Sequence, residues 1–172
     1  VIILVDNAAM FFRICIIVSL LACTAATAAA PPALPDQLGG SGSLNDYNGQ
    51  PVLAIVASGR KLRWIGQWEK AIRAQVPELV SLRVADITAD PKPAETEVAA
   101  ILRERAPPGI SILIDMQNQW ATNYELDTGE PCLVLFDAEH SVVAKFRGRP
   151  KNPLLTEVIT ALRPYFPVPA SP

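Results

Sequence analysis

The chain has one histidine and three cysteines in 172 residues, and each scarcity excludes a class of protein. One histidine cannot build a His-rich metal centre. Three cysteines are too few for a disulfide-stapled miniprotein or a four-cysteine zinc site. An excess of one charge is also missing. Fifteen Lys and Arg stand against 17 Asp and Glu, a net of −2, so no overall field draws the chain to nucleic acid or to an anionic membrane. Charged residues make up 19% and apolar ones 50%, which excludes a disordered chain. There is no P-loop, G-x-S-x-G or G-x-G-x-x-G. Proline, by contrast, is plentiful, and its sixteen copies argue against a bundle of long helices. The length fits one domain.

Residues 1–30 read as an export signal. Met10-Phe-Phe-Arg13 is a short n-region, Ile14 to Ala22 an apolar run, and Thr24 to Ala30 a string of small residues. Asp6 is out of place in an n-region, so Met10 is the expected initiator. Ala26-Thr27-Ala28 satisfies the small-x-small rule, with cleavage expected near Ala28. A second reading is a lipobox at Leu20-Leu21-Ala22-Cys23, in which Cys23 would carry lipid. The segment is too short and too weakly apolar in its second half for a permanent span. Either way the mature chain keeps one thiol, Cys132, which can form no internal disulfide.

Residues 31–42 are Pro- and Gly-rich and read as an extended arm; 43–166 read as the folded domain and 167–172 as a tail. Pro51 to Ala57 is a continuous apolar run of strand length, as in a strand buried on both faces. Leu62 to Val76 repeats at three- and four-residue steps and reads as a helix. Leu79 to Ile87 reads as a strand, Ala94 to Arg105 as a helix, Ile110 to Asp115 as a strand and Trp120 to Tyr124 as a short helix. Cys132 to Asp137 and Val142 to Phe146 read as a hairpin, and Pro153 to Leu162 as a last helix. The order β-α-β-α-β-α-β-β-α predicts an α/β domain with a mixed sheet.

Three stretches in that order resemble the redoxin group of the thioredoxin-like superfamily, which includes peroxiredoxins and TlpA-type thioredoxins. They are Leu34-Pro35-Asp36 followed by Ser43 to Val52, Ile112 to Asp115 followed by Ala121 and Tyr124, and Glu130-Pro131-Cys132 to Asp137. Gly59-Arg60, the ILID segment and Glu125-Leu126-Asp127 also resemble the YtfJ-type periplasmic family. The resemblance implies a three-layer thioredoxin-like fold, a mixed central sheet with a C-terminal hairpin and terminal helix, and a cis peptide bond before Pro131.

The departure from the group bears on function. Where catalytic members carry W-C-x-x-C at the first helix start, which lowers the thiol pKa, this chain reads Ser58-Gly59-Arg60-Lys61-Leu62-Arg63-Trp64. Lys61 and Trp64 stand in place of the cysteines, and neither exchanges a disulfide. The peroxidatic P-x-x-x-[ST]-x-x-C is absent too.

Cys132 after Pro131 is either a one-cysteine redox site, its pKa lowered by Arg60, Lys61 and Arg63, or a small buried strand residue. The three cations at the helix start either bind an anion or pair with carboxylates elsewhere. Trp64 and Trp68 share one helix face; an exposed Trp64 would mark a partner patch. His140 sits in the hairpin turn as a surface residue, with no metal site expected. Arg147, Arg149 and Lys151 form a basic segment too short for nucleic acid.

The expected function is therefore a non-catalytic, exported binding or accessory module with no cofactor. Its groove, formed by Arg60, Lys61, Arg63, Trp64, Glu130 and Pro131, would hold an extended peptide or a small anion, and the membrane would be reached only through the signal or a Cys23 anchor. The alternatives are a residual thiol–disulfide oxidoreductase acting through Cys132 and a structural lipoprotein domain without a ligand.

Overall fold

The computed structural model describes residues 32–88 and 91–167. The leader, with Met10, Cys15 and Cys23, and the tail beyond residue 167 lie outside the described residues.

Five strands form the central sheet in the order β5-β4-β3-β6-β7. The strands β3 (Val52–Ser58), β4 (Ser81–Asp86) and β5 (Leu113–Asp115) run parallel, and β6 (Cys132–Phe136) and β7 (Val142–Arg147) run antiparallel to their neighbours. Helix α1 (Arg63–Arg73) connects β3 to β4, and α2 (Glu95–Arg105) connects β4 to β5. The short α3 (Gln119–Tyr124) precedes β6, and α4 (Leu154–Leu162) follows β7. This is the mixed α/β sheet with terminal hairpin and helix that the sequence predicts.

Strands β3 and β6 are buried along both faces, as their unbroken apolar runs require, and they divide two layers of core. On one face Leu53, Ile55, Leu133 and Leu135 pack under Ile65, Trp68 and Ile72 of α1 and Val158, Ile159 and Leu162 of α4. Ala57 pairs in register with Ala85, so α2 covers the same face further along, with Val98 and Leu102 on Ala85 and Ile114. On the other face Val52, Ala54, Val56, Cys132, Val134 and Phe136 meet Trp120 and Tyr124 of α3. Each of these fully buried large side chains contributes roughly 1.5–3 kcal/mol of apolar burial.

The Pro- and Gly-rich arm folds back on itself as a short hairpin and docks on the domain. Leu34–Pro35 (β1) pairs with Ser41–Gly42 (β2), and Leu34 is buried in the α3-side core. Asp36 bridges to Leu113, and its carboxylate accepts the Ser111 hydroxyl at 2.8 Å. Gln37 is buried; its amide donates to the Ile110 carbonyl at 2.6 Å and accepts from the Ile112 N–H at 2.8 Å. The strand expected over Ile110–Asp115 is regular only from Leu113, and Ile110 and Ile112 ahead of it bond to the Gln37 side chain instead.

The cis peptide bond expected before Pro131 is not found there. Among the described residues it lies at Asn152–Pro153.

Candidate functional site

Strand β3 ends at Ser58, and a tight loop carries the chain into α1. The Gly59 N–H donates to the Asp86 carbonyl at 3.0 Å, and the Lys61 N–H donates to the Ser58 carbonyl at 2.7 Å. Leu62 then caps the helix with no side-chain hydrogen bond.

The Lys61 ammonium reaches across to Glu130 at 3.3 Å. Arg149 approaches the same carboxylate from the other side, Nε to Oε2 at 3.3 Å and Nη2 to Oε1 at 3.4 Å. These bonds, Arg149 first and Lys61 second, hold the Glu130 carboxyl below its ordinary value. Trp64 is half-buried beside them, with the Arg63 and Arg149 guanidinium carbons each 5.0 Å from its ring centre. Such cation–π pairs contribute about 0.5–1 kcal/mol each near a surface. Its indole N–H is buried without a partner.

The structure thus brings Lys61, Arg63, Trp64 and Glu130 together. Pro131 is buried directly behind them, its carbonyl accepting the Gly148 N–H at 2.9 Å. Arg60 is exposed and has no ion pair among the described residues. Sequence reasoning missed Arg149 as a member of this group. Its position depends on Gly148, whose φ of 135° turns the chain out of β7 and whose carbonyl accepts the Trp68 indole N–H at 2.9 Å. No local pattern announces that long-range contact. Trp68 is wholly buried, and Trp64, one turn before it, is half-buried.

Cys132 is not part of the cluster. It is the first residue of β6 and pairs with Val56, so its side chain faces the α3 layer, across the sheet from α1. It is 2% exposed, and its thiol donates weakly to the Asp127 and Glu130 carbonyls at 3.3 and 3.5 Å. Burial pushes the thiol up to about 11; Arg147 pulls it down, and Asp127 and Asp86 add to the rise. Of the two readings of Cys132, the geometry favours the small buried strand residue: its side chain packs in the α3 layer, and the cation that bears on it is Arg147 and not Arg60, Lys61 or Arg63.

Two buried acids were also not read as site residues. Asp86 and Asp115 end β4 and β5 side by side and are wholly buried. Asp115 is satisfied: it accepts the Trp120 N–H at 2.8 Å and the Gln117 N–H at 3.1 Å, which fixes the start of α3. Asp86 accepts the Thr128 hydroxyl at 2.5 Å through one oxygen, while the other is buried without a partner. Burial raises its carboxyl pKa, with the Asp115 charge adding to the rise and Thr128 and Lys92 opposing it. An acid closing an apolar strand run, as in LRVAD and ILID, was the available signal. His140 lies in the β6–β7 turn in a left-handed conformation, with Asp137 accepting the neighbouring Glu139 and Ser141 amides.

A sheet of this order, with the first parallel strand leading into α1 at the candidate site, can be compared with solved structures. The pneumococcal exposed lipoprotein thioredoxin (Etrx1) of Streptococcus pneumoniae superposes with a TM-score of 0.60 at 15% identity, over 77% of this chain and 98% of that one. The fold is thioredoxin-like. The thioredoxin domain of a thiol-disulfide oxidoreductase from Bacteroides vulgatus gives a TM-score of 0.54 at 21% identity, over 82% and 98%. A thiol peroxidase from Chromobacterium violaceum gives 0.52 at 14%, over 80% and 86%. At these identities the likeness concerns architecture alone. No family model matches the sequence, and no curated protein matches it by sequence. No helix among the described residues is long and apolar enough to cross a membrane.

Proposed function

We propose that this chain is an exported thioredoxin-like protein that acts by binding, as an accessory module of the periplasm, and does not exchange disulfides. The observation that carries the reading is the exchange of roles between two places in the fold. At the start of α1, where a reactive pair would stand, are Lys61 and Trp64, engaged with Glu130, Arg63 and Arg149. The thiol that remains among the described residues is buried on the far face, its pKa pushed up to about 11. A thiolate is the form that attacks a disulfide, and a thiol held there supplies almost none at neutral pH.

The leader pattern in residues 10–30 supports export, and the pneumococcal neighbour is by name an exposed lipoprotein. Lipidation at Cys23 would tether the domain. In the cleft, Glu130 stands where an incoming carboxylate would bind. A peptide carboxylate or a small anion would compete with it for Lys61 and Arg149, which are the charges a ligand needs.

The test is reduction of insulin by dithiothreitol in the presence of the chain. The expected rate equals that of the uncatalysed reaction. An acceleration that disappears in Cys132→Ser would overturn the proposal and restore the redox alternative.

A further inference from the structure

The geometry points to a second binding site, for a single-chain amphiphilic carboxylate, in the groove between α1 and α2. This site adjoins the Lys61–Glu130 cleft and shares Arg63 with it, and it stands whether or not that cleft holds a ligand.

The groove has a volume of about 840 Å³. That lies within the roughly 300–1,000 Å³ of small-molecule sites. Its floor is apolar, made by Leu62, Ile65, Leu102, Ile110 and Ile112. Its walls carry Arg60, Arg63, Lys70, Arg73, Arg83 and Arg105 against the single acid Glu69. Six cations against one carboxylate is a concentration of positive charge on a chain whose net charge is −2.

Glu69 does not balance them. Its two oxygens are already taken by Arg83, Arg73 and the Ser81 hydroxyl. Burial alone would raise its pKa, but those donors outweigh it and hold the carboxyl below its ordinary value. Arg60, Arg63, Lys70 and Arg105 have no carboxylate within ion-pair distance among the described residues. Like charges held along one groove repel one another, and a bound anion relieves that repulsion. An arginine fork also matches a carboxylate in geometry as well as charge.

The apolar floor selects for more than a bare ion. An alkyl chain would lie on Ile65, Leu102 and Ile112, with its carboxylate at the arginine wall. Gly66 stands in the middle of α1 on the groove, and a Cβ there would meet nothing within 4 Å, so the groove has room for a larger side chain at this point.

The experiment is calorimetric titration of the full chain with sodium dodecanoate below its micelle concentration. Parallel titrations use dodecyltrimethylammonium, which has the same chain and the opposite charge, and acetate, which has the same headgroup and no chain. Dodecanoate is expected to bind at least about tenfold more tightly than either, a difference of about 1.4 kcal/mol. Gly66→Phe, which fills the groove without touching a charge, and the exposed pair Lys70→Glu with Arg105→Glu are each expected to weaken it by about the same factor. The melting curve of each variant establishes that it is folded, and the charge pair stands if Gly66→Phe is not. Equal binding of the two dodecyl compounds would overturn the proposal, as would dodecanoate binding unchanged in both variants. Binding to anionic phospholipid vesicles with no heat from monomeric dodecanoate would overturn it in favour of a membrane surface.

Discussion

At the scale of single residues, the acid Asp86 shows how burial sets chemistry. Its carboxyl is closed off from water, with one oxygen unpartnered, and its pKa is raised. Below the ordinary carboxylate value both folded and unfolded chains carry the proton. Between that value and the raised native one, the folded chain keeps a proton that the unfolded chain has lost, so stability falls as pH rises. Above the native value the loss is complete. Asp86→Asn removes the ionisation. Its melting temperature is expected to exceed that of the native chain at about pH 7 and to converge with it at about pH 4. Gly148 shows the same economy in the backbone. At φ 135° an L side chain is strained whatever the space, and a Cβ would also lie 2.9 Å from the Leu154 side chain. Gly148→Ala is expected to lose about 1–3 kcal/mol in denaturant unfolding. Because Gly148 anchors Trp68 and precedes Arg149, it should also weaken the Arg149–Trp64 contact, readable as a change in tryptophan fluorescence. Cys132 was legible in the sequence as a buried strand residue but not as to its face. The two-residue period of β6 places it with Val134 and Phe136, but nothing local says which face α1 will cover.

At the scale of elements, the periodic segments were legible because each buries one continuous stripe. Ile65, Trp68 and Ile72 mark the inner face of α1 as plainly in the sequence as in the fold. The unbroken apolar runs of β3 and β6 likewise announce strands buried on both sides. What was not legible came from side chains acting in place of backbone. Gln37 bonds to Ile110 and Ile112 just ahead of β5, which makes a Pro- and Gly-rich arm part of the fold. The start of α3 is likewise set by a side chain: Asn118 ahead of it has a left-handed backbone, and Asp115 supplies the acceptor for the Trp120 amide. Asp115→Ala leaves that amide and the Gln117 amide without this partner. It is expected to cost about 1–3 kcal/mol in global stability. Hydrogen exchange should report loss of protection at Trp120 before other core amides open.

At the scale of the whole molecule, the sheet separates two functions that thiol chemistry would need together. One face carries α1, its cations, Trp64 and the cleft closed by Glu130. The other carries the thiol, packed among Val56, Tyr124 and Phe136. The fold is thioredoxin-like, and the start of α1 holds an ion pair and an indole. On the proposed reading this framework serves as a scaffold for binding, since one fold hosts many functions. The most direct measurement is the alkylation of Cys132 by iodoacetamide in the native chain, resolved from Cys15 and Cys23 by peptide mass spectrometry, from about pH 5 to about pH 9. The expected result is a thiol that stays unmodified across the range until the protein is denatured. Rapid modification in the folded chain, titrating below the ordinary thiol value of about 8.5, would contradict the account and place redox chemistry at Cys132.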